Sequence, residues 1–331
     1  MKRRIFLQTA ALGTAGTLSV SRLRAAPVRS ANRLRTVHSG SELKTTILVE
    51  GLAAPMKVLQ VTDTHLSCDD ASDQVYDDFS TRMRKAFATV KHHETLKPTT
   101  AVECLQELLR LGVEQKVDLL ALTGDIVNYP SATAVEFVRQ TVAATGLPHL
   151  YTAGNHDWHY EGMPGSSESL RKEWREKRLR PLYEQPNLSF SSVVMKGINF
   201  VTIDNSTYQV DEEQLAYFRQ QVARNLPLVL VMHIPLYVPG MRMSCGHPDW
   251  GAATDRNSAV ERRQRWSEKG NLPSTMEFVK VVKGAPCLAA LITGHWHSHF
   301  MSVESNLVQY VTPAGFNGRR RLIEFQPLSN G

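Results

Sequence analysis

Five short apolar runs set the framework of this chain. They lie at residues 56–62, 117–123, 148–152, 226–232 and 287–293. They are rich in Val, Leu and Ile and are bounded by Gly, Pro or polar residues, which predicts buried strands. Helical periodicity at residues 101–111 and 132–144 separates some of them, and this alternation predicts an α/β fold with parallel pairing. Ligands bind such sheets beyond the carboxyl ends of the strands, so the residues after each run are the candidates for chemistry.

Further apolar segments of strand length follow in the second half of the chain. They lie at residues 188–196, 199–204, 300–304, 307–312 and 321–325. Their close spacing predicts additional hairpins. About 305 residues remain after the N-terminal 26, which is enough for one large domain. No linker, internal repeat or low-complexity run divides them.

Polar motifs follow each of the five runs. They are Asp63-Thr64-His65, Gly124-Asp125, Gly154-Asn155-His156-Asp157, His233 and Gly294-His295-Trp296-His297. Taken singly, each has an ordinary explanation as a turn, a loop cap or a histidine satisfied at a strand end. Together they hold five of the chain's twelve histidines, all at predicted strand ends, and this favours a single site.

The side chains in these motifs have the chemistry of metal ligands. Carboxylates and imidazoles suit zinc, manganese or iron, whereas calcium takes oxygen ligands. No cysteine lies in the motifs, which argues against a structural zinc centre built on thiolates. Asp63 and His65 are two residues apart, as are His295 and His297. If strand geometry continues through them, each pair points to one side of the chain and binds one ion.

In this order the motifs resemble the pattern D-x-H, GD, GNH[DE], H and GHxH of the calcineurin-like metallophosphoesterase superfamily, over about residues 56–325. The resemblance implies a four-layer αββα sandwich, in which two mixed β-sheets are flanked by helices. It also implies two metal ions, divalent or of mixed valence, with manganese, iron and zinc as the candidates. By the same resemblance Asp63, His65 and His297 bind the first ion, Asn155, His233 and His295 bind the second, and Asp125 bridges both.

The resemblance further implies that the protein is a dinuclear metal-dependent phosphoesterase. In such a centre a hydroxide that bridges the two ions attacks phosphorus in line with the leaving group. His156 would face the leaving group and stabilise or protonate the departing oxygen. We predict that Asp157 orients His156 by accepting its second ring proton, with a loop-capping carboxylate as the alternative.

Two branches of the superfamily differ from this sequence beside Asp125. Protein serine/threonine phosphatases have GDxVDRG, whose arginine grips phosphate, whereas Asn128, Tyr129 and Pro130 stand here. Purple acid phosphatases place a metal-binding tyrosine three residues after the bridging aspartate, where this chain has Asn128. The sequence is more similar to bacterial cyclic-nucleotide and other phosphodiesterases, which favours a phosphodiester of a small molecule or a lipid as substrate. A phosphomonoesterase of the same fold, or a metal-binding protein without turnover, is the alternative.

Two longer intervals, residues 66–99 and 237–270, depart from regular alternation. Each follows a polar motif at a strand end, so we expect loops there to form the rim of the site and to select its substrate. The individual candidates for ligand contact are His159, shortly after Asp157, and His247 in the second interval. Solvated helices and surface loops are the alternative interpretation.

Residues 1–26 follow the plan of a signal peptide, with basic residues, an apolar run and small residues in that order. Arg3-Arg4 followed by Phe6-Leu7 resembles the twin-arginine export signal, so the export machinery is an expected partner. The apolar run of about twelve residues is short for a membrane span. We predict a periplasmic or otherwise exported protein, with a flexible polar basic stretch at residues 27–42 and the metallophosphoesterase domain at 43–327. An uncleaved signal would instead anchor it to the membrane.

The formal charge of +6 belongs to the N-terminus. Five of the 38 basic residues and none of the 32 acidic residues lie before residue 26. The rest of the chain is almost neutral, with 33 basic residues against 32 acidic ones. We therefore predict no nucleic-acid-binding surface.

The cysteines give no clear disulfide pattern. Cys68, Cys104, Cys245 and Cys287 allow three pairings, and their spacing selects none. Cys104 falls on a predicted helical face and Cys287 in a predicted strand, so we expect these two to be buried thiols.

Overall fold

The computed structural model describes residues 33–238 and 271–329. Its strands are β1 (Thr36–Gly40), β2 (Lys44–Val49), β3 (Met56–Val61), β4 (Val90–Lys91), β5 (Pro98–Thr99), β6 (Leu119–Leu122), β7 (His149–Tyr151), β8 (Phe190–Met195), β9 (Ile198–Ile203), β10 (Leu228–Val231), β11 (Leu288–Thr293), β12 (Phe300–Glu304), β13 (Leu307–Val311) and β14 (Arg321–Pro327). Its helices are α1 (Asp77–Ala86), α2 (Ala101–Glu114), α3 (Ala132–Ala144), α4 (Ser167–Trp174), α5 (Glu212–Ala223) and α6 (Pro273–Gly284). Short 3₁₀ turns lie at Gln74–Tyr76, Arg180–Leu182 and Gly315–Asn317, and a π-helical turn at Arg175–Leu179.

Two mixed sheets form the centre of the described fold. The first has the strand order β1-β2-β14-β3-β6-β7 and the second β12-β13-β11-β10-β9-β8, while β4 and β5 pair separately. Parallel pairs link β3 with β6 and β6 with β7 in the first sheet. Parallel pairs also link β9, β10, β11 and β13 in the second. Antiparallel partners at β14, β8 and β12 make both sheets mixed.

Three apolar cores separate four layers. The middle core lies between the sheets and contains Val58 of β3 and Phe200 of β9. Leu59 points the other way, into a second core where α2 and α3 cover the first sheet. A third core packs α5 and α6 on the second sheet, through residues such as Phe218 and Phe278. Burial of each such side chain stabilises the fold by roughly 1.5–3 kcal/mol. The layer order confirms the αββα sandwich.

Local sequence fixes where the helices over the first sheet begin. The Thr100 hydroxyl accepts from the Glu103 backbone N–H, and the Glu103 carboxylate accepts from the Thr100 N–H, which is a capping box for α2. The Ser131 hydroxyl accepts from the Ala134 N–H at the start of α3. Such caps each stabilise a helix by about 1 kcal/mol. The predicted helix at 132–144 has the correct bounds, whereas the one predicted at 101–111 continues for three more residues.

The N-terminal part of the fold differs from the prediction. Within the stretch 27–42, expected to be flexible, Thr36–Gly40 forms strand β1 and pairs antiparallel with β2. The sequence pattern does not predict strand β2, because its buried residues, Thr45, Ile47 and Val49, alternate with less buried ones. Residues 1–32, and with them the predicted signal peptide, lie outside the described residues.

Three of the four cysteines lie within the described residues. Cys104 and Cys287 are buried as predicted, and both are free thiols, as is the partly buried Cys68. Cys245 lies outside the described residues.

Within residues 33–238 and 271–329, no helix has the length and apolar character needed to cross a membrane.

Strands from both sheets end at the polar motifs. Asp63, Gly124 and Gly154 follow β3, β6 and β7, and His233 and Gly294 follow β10 and β11. The two sets of loops touch at Gly294, where a β-carbon would lie 1.9 Å from the Thr62 hydroxyl, so only glycine fits. The backbone N–H of His295 donates to Asp63 Oδ2 at 2.9 Å across this contact, although the two residues are 232 positions apart.

Candidate metal centre

Three groups of side chains that could hold a metal ion lie around one point at the strand ends. They are Asp63 with His65 and His297, His65 with Asp125 and His156, and Asp125 with His233 and His295. Within each group the ligand atoms lie within 4.8 Å of one another. Since His65 and Asp125 each belong to two groups, the three form one continuous cluster. His156 and His297 are partly exposed and the other members are buried.

Five of these residues have left-handed backbone conformations. The φ angles are +52° at Asp63, +44° at His65, +50° at Asp125, +72° at His295 and +54° at His297. Such conformations are uncommon outside glycine and cost on the order of 1–3 kcal/mol each. The chain therefore turns at each of these five residues, and the strands stop before them.

These turns end the strand geometry at both pairs, and for His295 and His297 they correct the prediction that each pair binds one ion. His297 Nε2 lies 2.9 Å from His65 Nε2 and 3.3 Å from Asp63 Oδ1, so His297 joins the Asp63 side of the cluster. His295 lies instead with Asp125 and His233. The two histidines of one motif are thus divided between the two sides, which is the division that the family resemblance implies.

Hydrogen bonds orient Asp63 with one oxygen free. Its Oδ2 accepts from the His295 N–H at 2.9 Å and from the Thr62 hydroxyl at 2.7 Å. Its Oδ1 is buried and has no hydrogen-bond partner. A buried oxygen without a hydrogen-bond partner destabilises the folded state by roughly 1–3 kcal/mol, and by more when it is charged. A cation beside His297 and His65 would satisfy it.

Asp125 lies where a bridging ligand is expected. His233 Nδ1 donates to the Thr123 carbonyl at 2.9 Å, which directs Nε2 toward Asp125. That Nε2 is buried, makes no hydrogen bond and lies 3.1 Å from Asp125 Oδ2. The same Oδ2 is 3.8 Å from His65 Nε2 on the other side of the cluster. One carboxylate oxygen therefore faces ligands of both proposed ions.

Asn155 places a buried amide directly before His156 in the chain. It is fully buried, and neither its Oδ1 nor its Nδ2 has a hydrogen-bond partner. In folded proteins about nine in ten buried polar groups find a partner, so unsatisfied atoms on Asp63, Asn155 and His233 in one cluster require an explanation. Carboxylate, imidazole and amide donors fit divalent transition-metal ions, and we conclude that these residues fit a dinuclear centre.

Charge interactions agree with this donor set. Burial lowers the pKa of His65 to about 4, so its imidazole is neutral at pH 7, the form that binds metal. Burial also opposes protonation of His233, but the Asp125 carboxylate outweighs it and raises the pKa of His233 to about 9. A divalent cation between His233 Nε2 and Asp125 would compete with that proton, and metal binding would release it.

Comparison with known families is consistent with this geometry. The sequence profile of the calcineurin-like phosphoesterase family matches residues 56–299, a range that holds all five motifs. The chain belongs to the calcineurin-like phosphoesterase family. It is a metal-dependent phosphoric ester hydrolase. The family implies a dinuclear centre of divalent ions, and the ligand groups described above supply candidate positions for both ions.

Individual proteins resemble the chain at low sequence identity. It is 23% identical over 260 residues to a probable cyclic nucleotide phosphodiesterase of Fibrobacter succinogenes (strain ATCC 19169 / S85), which covers 78% of this chain and 79% of that protein. A dimetal phosphatase from Danio rerio is 9% identical, with 79% of this chain and 88% of the other covered and a TM-score of 0.49. A purple acid phosphatase from yellow lupin is 12% identical, with 86% of this chain and 49% of the other covered and a TM-score of 0.45.

Within this calcineurin-like phosphoesterase, Asp157 has a different role from the predicted one. Its carboxylate accepts three backbone N–H groups, from Gly154 at 2.7 Å, Val127 at 2.8 Å and Asp125 at 2.9 Å. Burial and the nearby Asp125 carboxylate raise the pKa of Asp157 to about 7, while these N–H groups favour its ionised form. Asp157 thus ties the Gly124-Asp125 loop to the Gly154-Asn155 loop, in the manner of the loop-capping alternative.

Asn128 holds the His156 ring in the place that we predicted for Asp157. The Asn128 amide Nδ2 donates to the Met83 carbonyl at 2.7 Å and to the Ser67 hydroxyl at 3.2 Å. This directs its Oδ1 toward His156 Nδ1, at 3.1 Å, so the ring proton lies on Nδ1. The sequence shows Asn128 only as a departure from the tyrosine of purple acid phosphatases, and its contact with His156 becomes visible in the structure.

We expect Asn128→Asp to move the pH dependence of catalysis. A carboxylate in place of the Asn128 amide oxygen would stabilise protonated His156 and raise its pKa by about one unit. If His156 protonates the leaving group, the alkaline limb of kcat/KM against pH will move upward by a similar amount. The matched control is Asn199→Asp, since Asn199 is buried at the amino end of β9. An unchanged profile for Asn128→Asp would remove Asn128 from the site.

Of the two histidines predicted at the rim of the site, His159 is among the described residues. The backbone N–H of His159 donates to the His156 carbonyl at 3.0 Å, so this residue adjoins the site. His247 lies outside the described residues. The sequence gives no signal for Phe87, whose ring stacks on His65 at 4.2 Å between centroids, or for Phe316, 5.3 Å from the His297 ring. Phe87 directly follows α1 and Phe316 lies in the 3₁₀ turn Gly315–Asn317, and only the folded chain brings them to the cluster.

Proposed function

We propose that this protein hydrolyses phosphodiesters of small organic molecules with two divalent ions drawn from manganese, iron and zinc. The observation that carries the proposal is Asp125, whose Oδ2 faces His233 on one side and His65 on the other. A single ion would need only one of these sides. Two sides that share a carboxylate are what a pair of adjacent ions requires.

The residues divide between the ions as the family resemblance implies. Asp63, His65 and His297 would hold the first ion, Asn155, His233 and His295 the second, and Asp125 both. When bound, two such ions polarise phosphoryl oxygens and lower the pKa of a shared water to near neutrality. Two carboxylates against two divalent cations leave the site positively charged, which suits an anionic phosphate ester.

His156 would act on the leaving group. Asn128 holds its Nδ1, and the backbone N–H of His156 donates to Asp125 Oδ1 at 2.7 Å, so both ring and backbone are fixed relative to the cluster. The ring lies 4.6 Å from the His65 ring, between centroids. From this position Nε2 would donate a hydrogen bond or a proton to the departing oxygen.

An apolar wall beside the first ion supports a diester over a monoester. The Phe87 and Phe316 rings lie 5.0 Å apart and flank His65 and His297. Both phenylalanines are partly exposed, and an organic substituent could pack on them. The Fibrobacter succinogenes relative is named as a probable cyclic nucleotide phosphodiesterase, which also supports a diester substrate. The chain further lacks the arginine that protein phosphatases place beside Asp125.

A pair of substrates with one leaving group tests this proposal. Bis(p-nitrophenyl) phosphate and p-nitrophenyl phosphate would be compared after the chelated protein is reloaded separately with manganese, iron or zinc. We expect kcat/KM for the diester to exceed that for the monoester by roughly tenfold or more, about 1.4 kcal/mol in transition-state stabilisation. Asp125→Asn serves as the control for contaminating phosphatases. Faster monoester turnover would favour a phosphomonoesterase, and no turnover with any metal would favour a metal-binding protein without activity.

We also propose that the protein is exported through the twin-arginine route. The proposal rests on Arg3-Arg4 and the short apolar run that follows them, all outside the described residues. Replacing both arginines with lysine should keep the protein in the cytoplasm. Unchanged export of that variant in a cell fractionation would contradict the proposal.

A further inference from the structure

A buried glutamine joins the two sheets beneath the proposed metal centre. Gln60 lies on β3, in the first sheet, and is fully buried. Its Nε2 donates to the Thr123 hydroxyl and to the Thr293 carbonyl, both at 3.0 Å. Thr123 directly precedes Gly124-Asp125, and Thr293 directly precedes Gly294-His295. One amide therefore connects the ends of β6 and β11, which lie in different sheets and lead to different ligands.

The other end of the Gln60 amide is held equally firmly. The Thr312 hydroxyl donates to Gln60 Oε1 at 2.7 Å, and Arg321 Nε donates to the Thr312 hydroxyl at 3.0 Å. Arg321 is itself fully buried, and its remaining N–H groups bond partners that include Thr45 Oγ1 at 2.9 Å. Every polar atom of the Gln60 side chain thus has a partner in a chain that runs across both sheets.

Directional bonds matter here because the rest of the interface between the sheets is apolar. Contacts such as those of Val58 and Phe200 are not directional. They therefore oppose separation of the sheets more strongly than they oppose small sliding movements between them. A fully satisfied buried amide has fixed geometry, and shifting one sheet would leave its donors or acceptors unpaired. Gln60 therefore fixes the register of the sheets at the point where Gly294 touches Thr62.

The metal ligands are divided between the same two sheets. Asp63, His65, Asp125 and Asn155 follow strands of the first sheet, whereas His233, His295 and His297 follow strands of the second. In the proposed assignment the first ion takes three ligands from the first sheet and one from the second. The second ion takes two from each. A change in register would disturb the second ion more, because half of its ligands would move relative to the other half.

We infer that Gln60 is a positioning residue that sets the register between the two sheets and thereby the affinity for the second metal ion. The inference rests on the proposed function for the assignment of ligands to ions. It adds a residue that contacts neither ion and acts through Thr123 and Thr293. Its effect is therefore expected in metal binding before any effect on activity is considered.

Metal titration of Gln60→Met tests the inference. Methionine preserves the length and volume of the side chain but cannot replace the three hydrogen bonds. The full-length protein is first stripped of metal with a chelator, and zinc binding is then measured by calorimetry. We expect the wild-type protein to bind two ions. In Gln60→Met the affinity for the second ion should fall roughly tenfold, which is the scale of effect when outer hydrogen bonds of a metal site are removed. The affinity for the first ion should stay within about threefold of the wild-type value.

Gln221→Met is the matched control. Gln221 lies on α5, and its Oε1 accepts from Asn199 Nδ2 at 3.1 Å, at the amino end of β9 and away from the ligand loops. This variant loses a largely buried amide as well, so it reports the effect of general destabilisation. We expect it to bind both ions as wild type does, even where its Tm falls as far as that of Gln60→Met.

The possible results separate the two claims. Two ions in wild type with unchanged affinities in Gln60→Met would overturn the positioning role alone, as would equal weakening of both ions. Wild-type protein that binds fewer than two ions would overturn the ligand assignment, and the positioning role with it. If Gln60→Met does not fold, Thr312→Val removes one link of the same chain with little change in shape. The same selective loss is then expected, and its absence would overturn the inference.

Discussion

Replacing His156 with alanine will leave both metal ions bound and lower kcat by roughly 10²–10⁴-fold, the usual contribution of a general acid or base. In the structure His156 Nδ1 is held by Asn128, and we assign its ring to the leaving group and to neither ion. The backbone N–H that bonds Asp125 Oδ1 survives this substitution, so the bridging carboxylate keeps its orientation. Binding and catalysis should therefore separate in this variant.

The test combines metal analysis with substrates of different leaving groups. His156→Ala should lose most on poor leaving groups and least on p-nitrophenol, because a stable departing anion needs little help. His149→Ala is the matched histidine control, since His149 Nε2 contacts the Leu182 carbonyl and His149 lies on β7. Loss of a metal ion from His156→Ala, or an equal loss with every leaving group, would contradict the assigned role.

Replacing Asp125 with alanine will reduce metal binding to at most one ion and activity to background. Its Oδ2 lies 3.8 Å from His65 Nε2 and 3.1 Å from His233 Nε2, so the substitution removes an oxygen that both sides of the cluster share. The substitution also leaves the His156 N–H without its acceptor at 2.7 Å, which costs stability. Metal content by mass spectrometry and anomalous scattering from crystals will show which ion remains.

Asp125→Asn separates charge from shape in that experiment. The amide keeps an oxygen that the His156 N–H can use, so the loop should retain its conformation. It removes the negative charge that both cations would share, so we expect at most one ion to bind to this variant as well. Two ions bound at wild-type affinity in either variant would refute the bridging assignment.

The sequence predicts much of the fold because strand signals are local. Buried strands such as Leu228–Val231 and Leu288–Thr293 consist of apolar residues in unbroken runs, and their pattern needs no knowledge of the partner strand. Strand β2 is missed for the opposite reason, since its alternation becomes informative only beside β14 and β1. Residues 36–40 have the sequence of a polar linker and become a strand by pairing with β2.

The candidate site divides in the same way. Residue types and their positions after strands are sufficient to select Asp63, His65, Asp125 and the other proposed ligands. They are not sufficient to give Asp157 its role, since its three backbone donors belong to two loops. Nor could spacing place His295 and His297 on different sides of the cluster, because that placement depends on turns with positive φ.

By itself, then, the sequence determines which side chains have ligand chemistry and that they follow strand ends, because both properties are carried by neighbouring residues. The tertiary structure decides how those side chains are divided between the two sides of the cluster, that Asn128 holds His156, and that Gln60 links the sheets. These are contacts between residues far apart in the chain, such as Gln60 and Thr293 at a separation of 233 positions. They form only when two sheets pack face to face, and no local pattern encodes that packing.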